Sequence, residues 1–153
     1  MTGRARVLAC GSPDGGDDAA GLSVLRLLPE ALCARASIEE VRQLSAEQLL
    51  DDEPDTVRLV IDCVAGLEPG RVVELPLAEL PALEARLQPG SSHALGVGQA
   101  VALADRLGGV RPADRFLGIG GARFDLGAGL SPAVAAGLPE LAALLAARIE
   151  EIG

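Results

Sequence analysis

The stretch DTVRLVIDC, Asp55 to Cys63, limits the possible folds more than any other part of the chain. It opens after Pro54 and sets Val57, Leu59, Val60 and Ile61 in a nearly continuous apolar run of strand length, which the polar AGLEPG then closes. Two shorter runs behave alike: Arg4 to Cys10 ends in a Gly/Asp loop, and DRFLGIGG ends in glycines. Between and after them the apolar spacing turns helical. Leu22, Leu25, Leu28 and Leu32 recur within a helix expected over Ala19 to Cys33. A second helix is expected after Pro89, capped by Ser91 or Ser92, with Leu95, Val101, Ala104 and Leu107 on its buried side. A third starts at Ser131 as cap and Pro132 at the first helical position, with Gly137 and Pro139 expected to bend or divide it.

Weaker signals fill the intervals. Ala36 to Val41 is a second strand, and Ser45 with Gln48 three residues on marks a capped helical turn. RVVEL is extended, and Pro76 and Pro81 bracket a variable connection. Apolar strands alternating with amphipathic helices predict an α/β fold. The expected form is a three-layer sandwich, a mostly parallel twisted sheet between helices, with residues 1–153 as a single domain. That length suffices for one real core. With two Phe and no Trp or Tyr, the core must be built from Leu, Val, Ile and Ala.

Charge narrows the function. The net charge of −9 argues against a nucleic-acid backbone as partner and favours cations or a basic segment. All 13 basic residues are arginines. Cys10, Cys33 and Cys63 form no CxxC pair; their odd number and the lack of a signal peptide suggest a reducing cytoplasm. No membrane insertion is expected, because Pro139, Glu140 and Arg148 interrupt the most apolar stretch, AVAAGLPELAALLAARI.

The loop CGSPDGGDDAAG, Cys10 to Gly21, invites a phosphate-binding reading. It lacks the second glycine of GxGxxG, it has no GxxxxGK(S/T), and Asp14, Asp17 and Asp18 would repel phosphates. Aspartate near a helix start has an ordinary use, satisfying free backbone N–H groups, and Asp17 alone suffices for that. A second adjacent acid has less structural reason. Asp62 lies near the C-terminal end of the strongest strand, on the rim where the Gly/Asp loop opens, and His93, the single histidine, begins the next helix. Asp18, Asp62 and His93 can therefore converge, and two carboxylates with one imidazole suit a borderline divalent ion such as Zn²⁺ or Ni²⁺. Cys63, by alternation, faces the other way from Asp62. A nucleophilic pair of Cys10 with His93, and metal-free Asp–His acid–base chemistry, stay open.

Three blocks in order give the chain a family likeness. Gly11-Ser12, then PDGG, then Asp17-Asp18 and AAG make the first; LVIDCV with Asp62 the second; SSHALG with His93 the third. Together they resemble the hydrogenase maturation proteases, endopeptidases that trim the large-subunit precursor of nickel-iron hydrogenases. Ser12 replaces the usual asparagine, and GIGG replaces an Ile-Glu-Pro-like segment. The resemblance implies removal of a C-terminal peptide from a nickel-loaded precursor, the partner, with Asp18, Asp62 and His93 as catalytic and metal-engaging residues. It implies no tightly bound organic cofactor; the divalent metal is nickel carried by the substrate, with zinc or cadmium substituting in vitro. A metal-dependent hydrolase of another substrate and an inactive hydrogenase-assembly binding protein are the alternatives.

Overall fold

A computed structural model describes residues 3–88 and 96–152. Strand β1 (Arg4–Cys10) leads through a 3₁₀ turn (Gly16–Ala19) into α1 (Ala20–Ser23), a second 3₁₀ turn (Val24–Leu27) and α2 (Glu30–Cys33). Then follow β2 (Ala36–Val41), a 3₁₀ turn (Ala46–Leu49), β3 (Thr56–Val64) and β4 (Val72–Pro76). The second half holds α3 (Leu80–Leu87), α4 (Val97–Arg106), β5 (Arg115–Gly120) and α5 (Pro132–Ile152).

The strands form one five-stranded sheet in the order β2-β1-β3-β5-β4, parallel except for the antiparallel edge strand β4. Strand alternation sends side chains to the two faces in turn, and each face carries its own core. On one face Val7, Leu59, Ile61, Leu117 and Ile119 pack with Val134, Leu138, Leu141, Leu145 and Ile149 of α5. On the other, Leu8, Val60 and Phe116 pack with Leu49, Leu80, Val101 and Ala104. Each fully buried Leu or Ile contributes about 1.5–3 kcal/mol. The expected three-layer α/β sandwich is therefore the fold.

Several helices depart from the periodicity. The stretch from Ala19 to Cys33 is not one helix, because Pro29 lacks an N–H and forces Leu28 into extended backbone (φ −77°, ψ 138°). Helix α4 is described from Val97, after an extended Gly96 (φ −73°, ψ 163°); the expected caps Ser91 and Ser92 lie outside the described residues. Leu107 closes that helix exposed, not buried; Leu95 lies outside the described residues. The bracketed connection holds a 3₁₀ turn (Leu77–Glu79), and α3 follows it with Pro81 in its first turn. Helix α5 runs unbroken through Pro139. Its buried residues at 134, 138, 141, 145 and 149 form one stripe on the sheet, which outweighs the lost backbone bond. Gly137 lets that helix close in: a Cβ there would stand 2.6 Å from the carbonyl oxygen of Gly70. Among the described helices α5 alone is long and apolar enough to cross a membrane, and its apolar stripe is spent on the sheet. The capping box at Ser45 and Gln48 forms as expected.

At the N-terminal end of the sheet, Arg58 on β3 is fully buried inside an ion network. Its Nε and Nη2 donate to Asp114 Oδ2 (3.1 and 2.9 Å), and its Nη1 donates to Asp52 Oδ2 (3.1 Å). Arg6 Nη1 donates to the same Asp52 oxygen at 2.7 Å.

Candidate active site

The chain order places β2 and β3 on opposite sides of β1, so a crevice opens beyond the C-terminal ends of β1 and β3. Gly11 follows β1 with φ +137°, and its N–H donates to Val41 O at 2.9 Å. The backbone carbonyl of Asp18 lies where a Cβ on Gly11 would sit, so only glycine lets the loop fold back so tightly. Ser12 N–H donates to Asp18 Oδ2 (2.9 Å) and Asp18 N–H to Gly15 O (3.1 Å), fixing the Asp18 carboxylate over the strand end. Ser12 makes this contact through its backbone.

The two adjacent acids part company here. Asp17 is fully buried and serves no helix start of its own. Its carboxylate accepts from the N–H groups of Ala122 (2.7 Å), Arg123 (2.9 Å) and Ser131 (2.6 Å), and from the Ser131 hydroxyl (2.9 Å). Burial raises its pKa, but these four donors outweigh burial and hold it below the usual carboxylate range. Ser131, expected as a cap, gives its hydroxyl to Asp17, while its carbonyl accepts from Ala135 N–H in the first turn of α5.

Asp18 and Asp62 line one cavity of about 380 Å³, with Cys63, Leu80, Glu84 and Phe124 among its walls. Asp62 Oδ1 accepts from Cys63 N–H at 2.8 Å. Burial drives its pKa well above the ordinary value, and the charges of Asp18 and Glu84 push the same way. Glu84, on α3, has Oε1 accepting from Gly98 N–H (2.7 Å) in the first turn of α4. Sequence spacing missed this third acid because its helix, α3, begins at the end of the connection bracketed by Pro76 and Pro81 and was not foreseen beyond it. Pro81 followed by ALEARL, a run of good helix formers, was the available signal.

His93 lies outside the described residues, whereas Gln88 and Gly96 on either side of the undescribed stretch both line this cavity. Among the described residues no three His, Cys, Asp or Glu side chains group to hold a metal. Burial, with Asp62 and Asp18, raises Cys10 well above its ordinary pKa. Burial and the neighbouring Asp62, Asp17 and Asp18 push Cys63 to about 12. Both shifts run away from the thiolate that a Cys–His pair would use, and His93 itself lies outside the described residues. In GIGG, a Cβ on Gly118 would stand 2.6 Å from the Phe116 ring, and one on Gly121 would stand 2.8 Å from Phe124. Glycine here keeps the wall beside Asp62 thin, Gly118 being its register partner on β5.

No protein-family model and no curated protein matches the chain. Solved structures do. The [NiFe] hydrogenase maturation protease HybD from Thermococcus kodakarensis is 26% identical over 93% of this chain and 96% of that one, with a TM-score of 0.65. The hydrogenase maturating endopeptidase HybD from E. coli is 25% identical over 98% and 94%, with a TM-score of 0.72. Over nearly its whole length the chain is similar to the hydrogenase maturation proteases. Another protein of this name, HycI from Thermococcus kodakarensis KOD1, shares the fold at 16% identity, covering 96% of this chain and 92% of that one with a TM-score of 0.58. These matches support the chain as a peptidase.

Proposed function

We propose that this peptidase removes the C-terminal peptide of a nickel-iron hydrogenase large-subunit precursor in the cytoplasm, with Asp18, Asp62 and His93 engaging the nickel that the precursor carries. One observation carries the reading: Asp18, from the loop after β1, and Asp62, from β3, meet in a single cavity beyond the strand ends. Two supports stand beside it. The cavity's carboxylates crowd one another, and a desolvated cluster of like charge is relieved by an incoming cation. The stretch bearing His93 is flanked by Gln88 and Gly96, and both open on that cavity.

The donor set fits the cargo. Carboxylate oxygens and one imidazole leave coordination positions for the precursor's own ligands, and they suit a borderline divalent ion. Zinc or cadmium fits the same donors in vitro. The net charge of −9 draws a cationic segment inward. Once held, nickel next to the scissile carbonyl polarises it or activates the attacking water, and no resident organic cofactor is required. Asp18 and Asp62 orient the cargo, while Asp17 holds the loop that presents Asp18.

The test is processing of nickel-loaded and nickel-free precursor side by side, resolved by the size of the large subunit on a gel. Cleavage of the loaded form alone is expected; equal cleavage of both, or of neither, overturns the reading.

A further inference from the structure

Alongside the acidic cavity runs a second depression of about 880 Å³, open to solvent, between α3, α4 and the turn at Ala46. Its walls include Ala85 and Gln88 of α3, Gln99 and Leu103 of α4, and Leu44 and Ala46 from the turn. Glu84, Gln88 and Gly96 line both spaces, so the groove continues directly out of the candidate active site. We propose that this groove holds the stretch of precursor immediately beyond the cut, the peptide to be removed, as an extended chain.

Four observations fit that occupant. Helix α4 has ten residues and so spans about 15 Å, the length of roughly four or five extended residues. The lining is mixed. Leu103 is 51% exposed, an apolar contact surface left open among the described residues, and Ala46, Ala85 and Ala100 leave room for substrate side chains between helix faces. Gln99, exposed on the same wall, presents an amide that both donates and accepts, as an extended backbone requires. Among the described residues the walls carry two charges of opposite sign, Glu84 and Arg106, and not a convergent set of one sign, which disfavours a small ionic ligand.

Direction follows from the neighbouring cavity. The inference rests on the processing reading: the metal-bearing part of the precursor sits over Asp18 and Asp62 and is tied to the folded body of that subunit. The chain beyond the cut has no place in the mature subunit and is free to be drawn out along α4. Selectivity would then come from two places, metal at the cavity and apolar side chains in the groove.

Kinetics and binding test the groove separately. In processing of nickel-loaded precursor, Leu103→Glu is expected to raise KM about tenfold while kcat stays within about twofold. Gln99→Ala is expected to raise KM less, and both variants should melt with the wild type. An unchanged KM in both variants overturns the proposal, as does a loss confined to kcat. The second arm uses a fluorescent synthetic peptide copying the C-terminal extension of the large subunit encoded in the same genome. Its anisotropy should rise equally with wild type and Asp62→Asn, and about tenfold more protein should be needed with Leu103→Glu. Should the wild type process no precursor, the processing reading falls while the anisotropy still decides the groove. Peptide bound in a Leu103-dependent way upholds it, and peptide unbound or bound alike by both proteins overturns it.

Discussion

Neighbouring aspartates in this chain do opposite work. Asp18 faces the cavity, and Asp17 faces inward to four donors from the far end of the sequence. Replacing Asp18 or Asp62 by asparagine should reduce precursor processing by about 100-fold or more, since several kcal/mol of charge stabilisation at the metal are removed. The same Asp62→Asn should leave the melting temperature unchanged or higher, because it relieves crowding with Asp18 and Glu84. Rate and melting curve together check it, and a large loss of stability would make Asp62 a structural residue instead. Asp114→Ala should act in reverse, sparing the cavity at the opposite end of the sheet while costing about 3–5 kcal/mol in urea unfolding, because buried Arg58 loses its partner. Asp18 and Asp62 were legible in the sequence through their place after a strand and near a strand end. The job of Asp17 was not, because its partners lie more than a hundred positions away and local spacing carries no trace of them. Arg58 sits among the apolar residues of β3 and drew no notice in the sequence, because Asp52 and Asp114 come together around it only in the fold.

Among the elements, strands were easier to foresee than helices. An apolar run buried on both faces, such as β3, has no competing use, and it appears within a residue of its expected bounds. Helical spacing was less decisive. Pro29 cut one expected helix, whereas Pro139 did not cut another, and burial separates the two cases. The stretch from Ala20 to Cys33 packs in short pieces, while α5 lays five large side chains along the sheet. Pro139 is exposed and only costs its helix a backbone bond, so Pro139→Ala should stabilise the protein by roughly 1–3 kcal/mol, read in urea. Two positions earlier the sign reverses. Gly137→Ala gains about 1 kcal/mol of helix propensity, yet its methyl would press on the Gly70 carbonyl, and net destabilisation is expected in the same assay.

The molecule as a whole has an acid limit. Glu74 is held below the usual carboxylate range by its hydrogen bonds with Arg148, helped by Arg115. Asp52 lies below it too: burial works against the shift, but Arg6 and Arg58 outweigh burial. A group with a lowered folded pKa stabilises the fold above its unfolded pKa, and that contribution disappears as pH falls through the folded value. The stability difference between wild type and Arg148→Ala should therefore be full at neutral pH and shrink through the acidic carboxylate range, measured by denaturant titration at several pH values. A difference that does not change with pH would assign Arg148 a packing role only.

The outermost strands carry a different consequence. The β2 border bears Glu39 and Glu40, and the β4 border ends in Pro76, which has no N–H to offer a visiting strand. Both rims thus discourage one copy from stitching its backbone onto the next, by repulsion on one side and by a missing donor on the other. A chain so rich in Leu, Val and Ala is in this way kept from fibre-like self-association when it accumulates.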